Sequence, residues 1–335
     1  MANFQDWSVG HAKESTYGTG VTPSRFLEFT NPKPFAIDRG VKQGAGIRVG
    51  SRVARSARRF MTTKQAQGDI EVELFSKGLG LALEACIGAG TSTLVSGTTY
   101  QQNIVFADTL PSHTIQFGVP NATGTIRALT FAGCVVSSWE LGGAVGDIAT
   151  LKTSWDARSW TTATAYATPS YVAGGNLYTV EDATIYSGTL TAPTTTALGS
   201  ALTAVAGVKD FKVSVDNALV ADRVFANGGG LKSLPLPGTR QPSVEMNIEY
   251  GADTLWDALE ADSELTLVIT LVTSGALSTG VETVQIIIPA VKPDDGLPEG
   301  GPDQIASMAM KFTGLDNLSA AQPLWVVVRT SDTAL

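Results

Sequence analysis

A chain of 335 residues is too long for one ordinary core and fits two domains by length. Its 23 basic and 31 acidic residues leave a net charge of −8, which excludes a surface that clings as a whole to DNA or to an anionic membrane. No run reaches the 18 or so apolar residues of a membrane-spanning helix, and frequent Gly and Thr with few helix signals indicate a mainly β class.

The opening, MANFQDWSVGHAKE, lacks the charged and apolar regions of a secretory signal, so synthesis in the cytosol is expected. Glu14 to Phe26 reads ESTYGTGVTPSRF, a glycine-punctuated stretch that predicts an arm over residues 1–30. Arg39, Lys42, Arg48, Arg52, Arg55, Arg58, Arg59 and Lys64 then follow with no acidic residue among them. Gly44, Gly46 and Gly50, and the lack of an apolar stripe, predict an extended hairpin or a mobile loop. A solvated loop, a nucleic-acid contact and a contact with acidic surface on a neighbouring copy all fit this charge run.

Gly68 to Ala85, GDIEVELFSKGLGLALEA, predicts a strand turning into a helix. Ile70, Val72 and Leu74 alternate with Asp69, Glu71 and Glu73, so period 2 sends the apolar set to one face and the carboxylates to the other. Tyr100 to Trp160 predicts three or four further strands. Cys86 and Cys134 sit in apolar surroundings, where buried free thiols are expected rather than a disulfide. Residues 161–205, rich in Thr, Ala, Ser and Gly, predict a partial linker, with strand character from Tyr171 to Leu190.

The second part repeats the first. Ala206 to Asp216 alternates loosely like Pro34 to Asp38, and Asn217 to Gln241 predicts a second, far less basic hairpin. In PSVEMNIEYGADTLWDALEA, from Pro242 to Ala261, Val244, Met246 and Ile248 alternate with Glu245, Asn247 and Glu249. Both helices carry L-x-x-A-L-E-A, from Leu79 and from Leu255. Offsets are 174 for the strands (244 − 70) and 176 for the helices (255 − 79). A third block, Thr114 to Pro120 against Thr283 to Pro289, recurs at 169 (283 − 114). Three blocks in one order predict two tandem copies of a domain. Lys292 to Asp303 then predicts an acidic, turn-rich loop with Asp294, Asp295, Glu299 and Asp303.

Chemistry is sparse. The two histidines, His11 and His113, sit in no supporting motif. ANGGGLKS, from Ala226, lacks the Gly-Lys of a phosphate-binding loop, and no cofactor, metal site or catalytic residue is assigned. Glu71 and Glu73 are explained as acids on a solvated strand face.

Glu14 to Phe26, followed by Phe29 to Asp38, resembles the amino-terminal pattern of the tail tube proteins, or major tail proteins, of long-tailed non-contractile bacteriophages. The strand-helix unit resembles their fold, a β-sandwich or partial barrel with one flanking helix. The resemblance implies an arm (1–30), a first tail-tube-like domain (31–160), a linker with the first strands of the second copy (161–205) and a second domain (206–335). It also implies a structural subunit of a virion tail, made in the host cytoplasm, that forms stacked rings as a conduit for DNA. Three chains would fill six domain positions, a trimer favoured over a hexamer. Partners implied are a tape measure protein, terminator and tip proteins, and DNA only in passage, with no membrane. Asp69, Glu71, Glu73, Glu245, Asn247 and Glu249 would line the bore as an acidic wall. Arg39 to Lys64, with Asp294 and Asp295, would join rings. The alternatives are another β-structural subunit of a tail tip, decoration or needle, and a DNA-binding module.

Overall fold

The structure is a computed structural model and describes residues 3–30, 33–200, 202–251, 254–302 and 305–335. The first half holds β1 (Ser8–Lys13), β2 (Arg25–Leu27), β3 (Ala36–Asp38), β4 (Val41–Gln43), β5 (Arg59–Met61) and β6 (Gln65–Glu73). It continues with α1 (Gly80–Ile87), β7 (Gly88–Ser96), β8 (Thr99–Phe106), β9 (His113–Pro120), β10 (Ile126–Ala144) and β11 (Thr150–Thr161). The second half starts with β12 (Ala183–Ser187), β13 (Thr203–Ala204), β14 (Val208–Asp216), β15 (Gln241–Glu249) and α2 (Thr254–Glu260). It ends with β16 (Leu265–Ala276), β17 (Val281–Asp295), β18 (Pro298–Glu299), β19 (Ser307–Gly314) and β20 (Trp325–Thr330). The fold is mainly β and sandwich-like, and all strands except the β4–β5 ribbon belong to one hydrogen-bonded network.

One face of that network is an antiparallel row in the order β3, β6, β11, β10, β14, β15, β19, β17. The row has an internal rhythm. Ala36 stands opposite Gln67 where β3 meets β6, and Asp216 stands opposite Gln241 where β14 meets β15. Glu71 faces Lys152 across β6 and β11, and Glu245 faces Lys311 across β15 and β19. Four strands of one half are therefore followed by four of the other with matching partners and directions.

β10 and β17 are long enough to run on into a second layer. There β9 lies between β1 and β10, and β17 lies between β16 and β20. The layers close face to face, with Phe35 of the first against Phe117 and Phe131 of the second at ring-centroid distances of 5.4 and 4.9 Å. One apolar cluster runs through both halves, from Val72 and Leu83 to Met246 and Phe312, so the halves share a core. β8 strengthens the union by pairing with β20.

Three predicted segments differ from expectation. The arm is built in: β1 pairs with β2 and β9, and Glu14 is buried beside it. The Glu14 carboxylate accepts hydrogen bonds from the Ser112 and Thr114 hydroxyls and from the Gly18 and Gly133 amides, which offsets the cost of burying its charge. The linker is also packed. Gln116 donates to the Ala165 carbonyl and accepts from the Ala167 amide, while Gln285 does the same to both groups of Gly199. Leu190, Leu198 and Leu202 cover the outer side of Val268, Ile287 and Val327. Finally, the acidic loop is largely strand, with Lys292 to Asp295 in β17 and Glu299 in β18; Asp303 lies outside the described residues.

The third matched block is equivalent in chemistry but not in position. Its two glutamines make the same kind of clamp, and each also donates to a threonine on the adjacent strand, Thr130 or Thr270. β9 and β17 nevertheless have different neighbours, and in the row it is β10 that corresponds to β17.

Candidate functional site

The polar face of the eight-strand row follows from period-2 burial. Ile70 and Val72 of β6, and Val244, Met246 and Ile248 of β15, are buried. Asp69, Glu71, Glu73, Glu245, Asn247 and Glu249 therefore share the opposite face. A groove of about 650 Å³ opens there.

That face keeps its acids and sets lysines among them. Glu71, Lys152 and Glu140 stand at one level of the row and Lys212, Glu245, Lys311 and Asp295 at the neighbouring level of the same face, all lining the groove. Lys152 is opposite both Glu71 and Glu140, and Lys311 is opposite both Glu245 and Asp295. The Lys212 ammonium meets the Glu245 carboxylate at 2.6 Å, and this hydrogen bond raises the lysine pKa. Opposite charges on facing strand positions attract and like charges repel, so alternation is the stable way to charge a sheet face. Asp69 accepts from Ser154 at 2.7 Å, and Asn247 donates to Asp210 at 2.7 Å. Asp294 accepts from the Thr313 hydroxyl, so the two aspartates assigned to ring joining lie on or beside this face rather than on a projecting loop.

Two hairpins rise from the row, one between β3 and β6 and one between β14 and β15. They share a register. The Thr62 amide bonds to the Gly40 carbonyl as the Val220 amide bonds to the Leu236 carbonyl. Gly44 meets Arg58 as Val224 meets Lys232. The offsets are 180 upstream (220 − 40, 224 − 44) and 174 downstream (236 − 62, 232 − 58), so the first hairpin is six residues longer between those last pairs.

Their surroundings differ. The second hairpin is docked on the first half: Lys232 pairs with Asp156 at 2.5 Å with both side chains only 12% exposed. Gly230, at φ +76°, lies so close to the Thr62 carbonyl that any Cβ would collide with it. At its base, Arg240 donates to the Ile87 and Ala107 carbonyls over the Phe106 ring, and the buried Asn217 amide donates to the Cys86 and Val136 carbonyls. The first hairpin, with Arg39, Lys42, Arg48, Arg52, Arg55, Arg58, Arg59 and Lys64, has no salt bridge among the described residues. It exposes Ile47, Val49, Val53, Phe60 and Met61 beside that charge.

Sequence reasoning missed Lys152, Lys212, Lys311, Asp156 and Lys232. The first three stand in strands that alternate as plainly as β6; in β11, Leu151, Thr153 and Trp155 are buried between Lys152, Ser154 and Asp156. Elsewhere, Cys86 and Cys134 are buried free thiols whose pKa values burial raises. His11 and His113 stack in the second layer with Nδ1 atoms 3.4 Å apart, and burial pushes the His11 pKa down to about 4. Among the described residues no group of three His, Cys, Asp or Glu side chains is placed to hold a metal, and no helix is long and apolar enough to cross a membrane.

No curated protein matches the chain. A family model described as phage tail tube protein matches residues 5–320, nearly the whole length. A sandwich-like β fold and that match agree: the chain belongs to the phage tail tube protein family, structural subunits that assemble with copies of themselves into the tube of a virion tail.

Proposed function

We propose that the subunit is a tandem duplication of one tube-forming domain, and that three copies close a ring in which the polar face of the row lines the bore. The single observation carrying this is the eight-strand row with its four-strand repeat. Within the chain, β10 joins one half to the other by pairing with β14. The corresponding strand β17 pairs only with β19 over residues 292–295, and the corresponding strand β3 pairs only with β6 among the described residues. These two edges are antiparallel and complete the pattern in a second copy, which also removes exposed edges that would otherwise invite aggregation. Three copies would supply twenty-four strands to one continuous wall.

On this reading the bore holds a tape measure protein during assembly and DNA in passage, while terminator and tip proteins take the tube ends. The charge belt sets four carboxylates against three lysines and so offers phosphate no extended adhesive track. The extra length of the first hairpin, with Arg48, Arg52 and Arg55 and three exposed apolar residues, is free to reach an adjacent ring. Negative-stain images of the purified protein with rotational averaging test the proposal. Tubes with threefold symmetry and a pseudo-sixfold outline are expected. A strict sixfold repeat of whole chains would sink the three-copy ring, and failure to polymerise under any condition would favour a tail-tip or decoration role.

A further inference from the structure

We infer that Arg58 of one copy pairs with Asp316 of the laterally adjacent copy in the same ring, reproducing between chains the contact that Lys232 and Asp156 make within one. The inference rests on the ring reading above and adds to it a specific pair of surfaces.

The donor side follows from the shared hairpin register. Gly40 with Thr62 and Gly44 with Arg58 match Val220 with Leu236 and Val224 with Lys232, so Arg58 stands in the first hairpin where Lys232 stands in the second. Lys232 finds its carboxylate on β11, in the half that precedes it along the row. Arg58 rises from beside β3, the first strand of the row, and in a ring the half that precedes it is the second half of a neighbour. Arg58 is exposed and, among the described residues, has no salt bridge.

The acceptor side follows from the row. Glu71 opposite Lys152 matches Glu245 opposite Lys311, which aligns β11 with β19 at an offset of 159 (311 − 152). Carried four residues further, Asp156 falls on Leu315, and Asp316 is the first carboxylate there. Asp316 is exposed and its side chain is held by the Leu318 amide at 2.9 Å. Glu264 is close by, tied to Asn317 at 2.8 Å, which makes the receiving surface acidic. Leu315 and Leu318 are exposed beside these carboxylates, as Phe60 and Met61 are exposed beside Arg58, so charge and apolar surface are complementary on both sides. A second copy of this chain satisfies both. The axial contact suggested by the basic charge run uses the tip of the hairpin, while this lateral contact uses its stem.

Two measurements test the pair. In the first, Arg58→Cys and Asp316→Cys are combined in one chain and assembled under mild oxidation; the native cysteines are buried. Covalent products ending at the closed three-chain species are expected, and a mixture of the two single variants should give cross-linked pairs of unlike chains. A ladder of ever longer products would place the contact between rings and overturn the lateral assignment, as would no cross-link in well-formed tubes. In the second, Arg58→Glu and Asp316→Arg should each raise the protein concentration needed for assembly by about fivefold or more, as expected for one exposed ion pair reversed at each lateral contact. The double variant should return toward the wild-type value. Normal assembly of both single variants, or a double variant no better than either, would refute the pair while leaving the tube itself intact. Wild-type protein that never forms rings would instead remove the reading on which the pair depends. Unfolding curves of the unassembled variants should match wild type, since both side chains are exposed.

Discussion

The two hairpins of this chain have the same register and opposite circumstances. The second lies against the other half of its own molecule with a largely buried ion pair, a close glycine contact and a bidentate arginine at its base. The first carries seven exposed basic side chains, a half-buried Arg55 and several large exposed apolar side chains, with no salt bridge among the described residues. An element that is satisfied in one copy and unsatisfied in the other marks a contact missing from the isolated chain. The exposed one is therefore read as half of an interface rather than as a loose loop, because unrelieved positive charge and exposed Ile47, Val49 and Phe60 would serve no purpose in a free subunit.

The largest expected effect breaks the comparison by making the hairpins equal. Trimming residues 45–57 by the six that exceed the second hairpin should leave the subunit folded, with an unchanged unfolding midpoint, yet abolish tube elongation. Sedimentation and negative-stain images would read this as rings or short stacks in place of long tubes. Normal tubes from the trimmed chain would show that the extra length has no part in stacking.

Removing the anchor of the docked hairpin comes next. Asp156→Ala leaves Lys232 largely buried without a counter-charge and should destabilise the chain by about 3 kcal/mol, readable as a lowered urea midpoint. Arg58→Ala, at the equivalent place in the free hairpin, should change the stability of the unassembled subunit by less than about 0.5 kcal/mol. Equal losses from the two variants would mean that the exposure of the first hairpin is not a feature of the subunit in solution.

Acid should separate the two halves. Both histidines lie in the first half, stacked and buried, with Arg25 and Lys13 adding positive charge to their surroundings. Burial lowers their folded pKa values below the unfolded value, so neutral imidazole is the native form and its stability is fully present above pH 6.5. That stability falls as the pH drops from there toward about 4, by an order of 3 kcal/mol for His11 alone. Hydrogen exchange at pH 5 should accelerate first in β1 and β9, and His11→Phe should flatten the pH dependence. Uniform acceleration through β15 and β19 would contradict it.

These contrasts were partly legible in the sequence. The alternation of Ile70 and Val72 with Glu71 and Glu73 gives β6 correctly, and that of β15 likewise, because a half-buried strand must segregate its side chains. The charge of the polar face was not, since it is set by neighbouring strands: Lys152 and Lys311 lie 81 and 66 residues from the glutamates they face (152 − 71, 311 − 245). The segment from 161 to 205 has a linker's composition and a strap's contacts. Its small residues let the chain lie flat, and the side chains that hold it, Gln116 and Gln285, lie outside it. The hairpin register was hidden as well, because its two copies share backbone pairing and almost no side chains.

The smallest expected effect sharpens the comparison by holding chemistry constant and varying burial. Lys212 and Glu245 meet at 2.6 Å, as close a pair as Lys232 and Asp156, but their side chains are 39% and 44% exposed against 12% each. Water screens the exposed pair, and ordering two long side chains costs entropy, so a cycle of Lys212→Met, Glu245→Gln and the double variant should give a coupling of about 0.5 kcal/mol. Added salt should reduce that value within the first few hundred millimolar, while the Lys232 pair should be nearly indifferent. The pKa of Lys212 is raised in the folded chain, so its contribution is fully present below about pH 10.5 and is lost as the pH rises through the folded value. A coupling at the belt as large as that of the buried pair would mean that the groove is far less wet than its width implies, and would count against a bore filled with solvent.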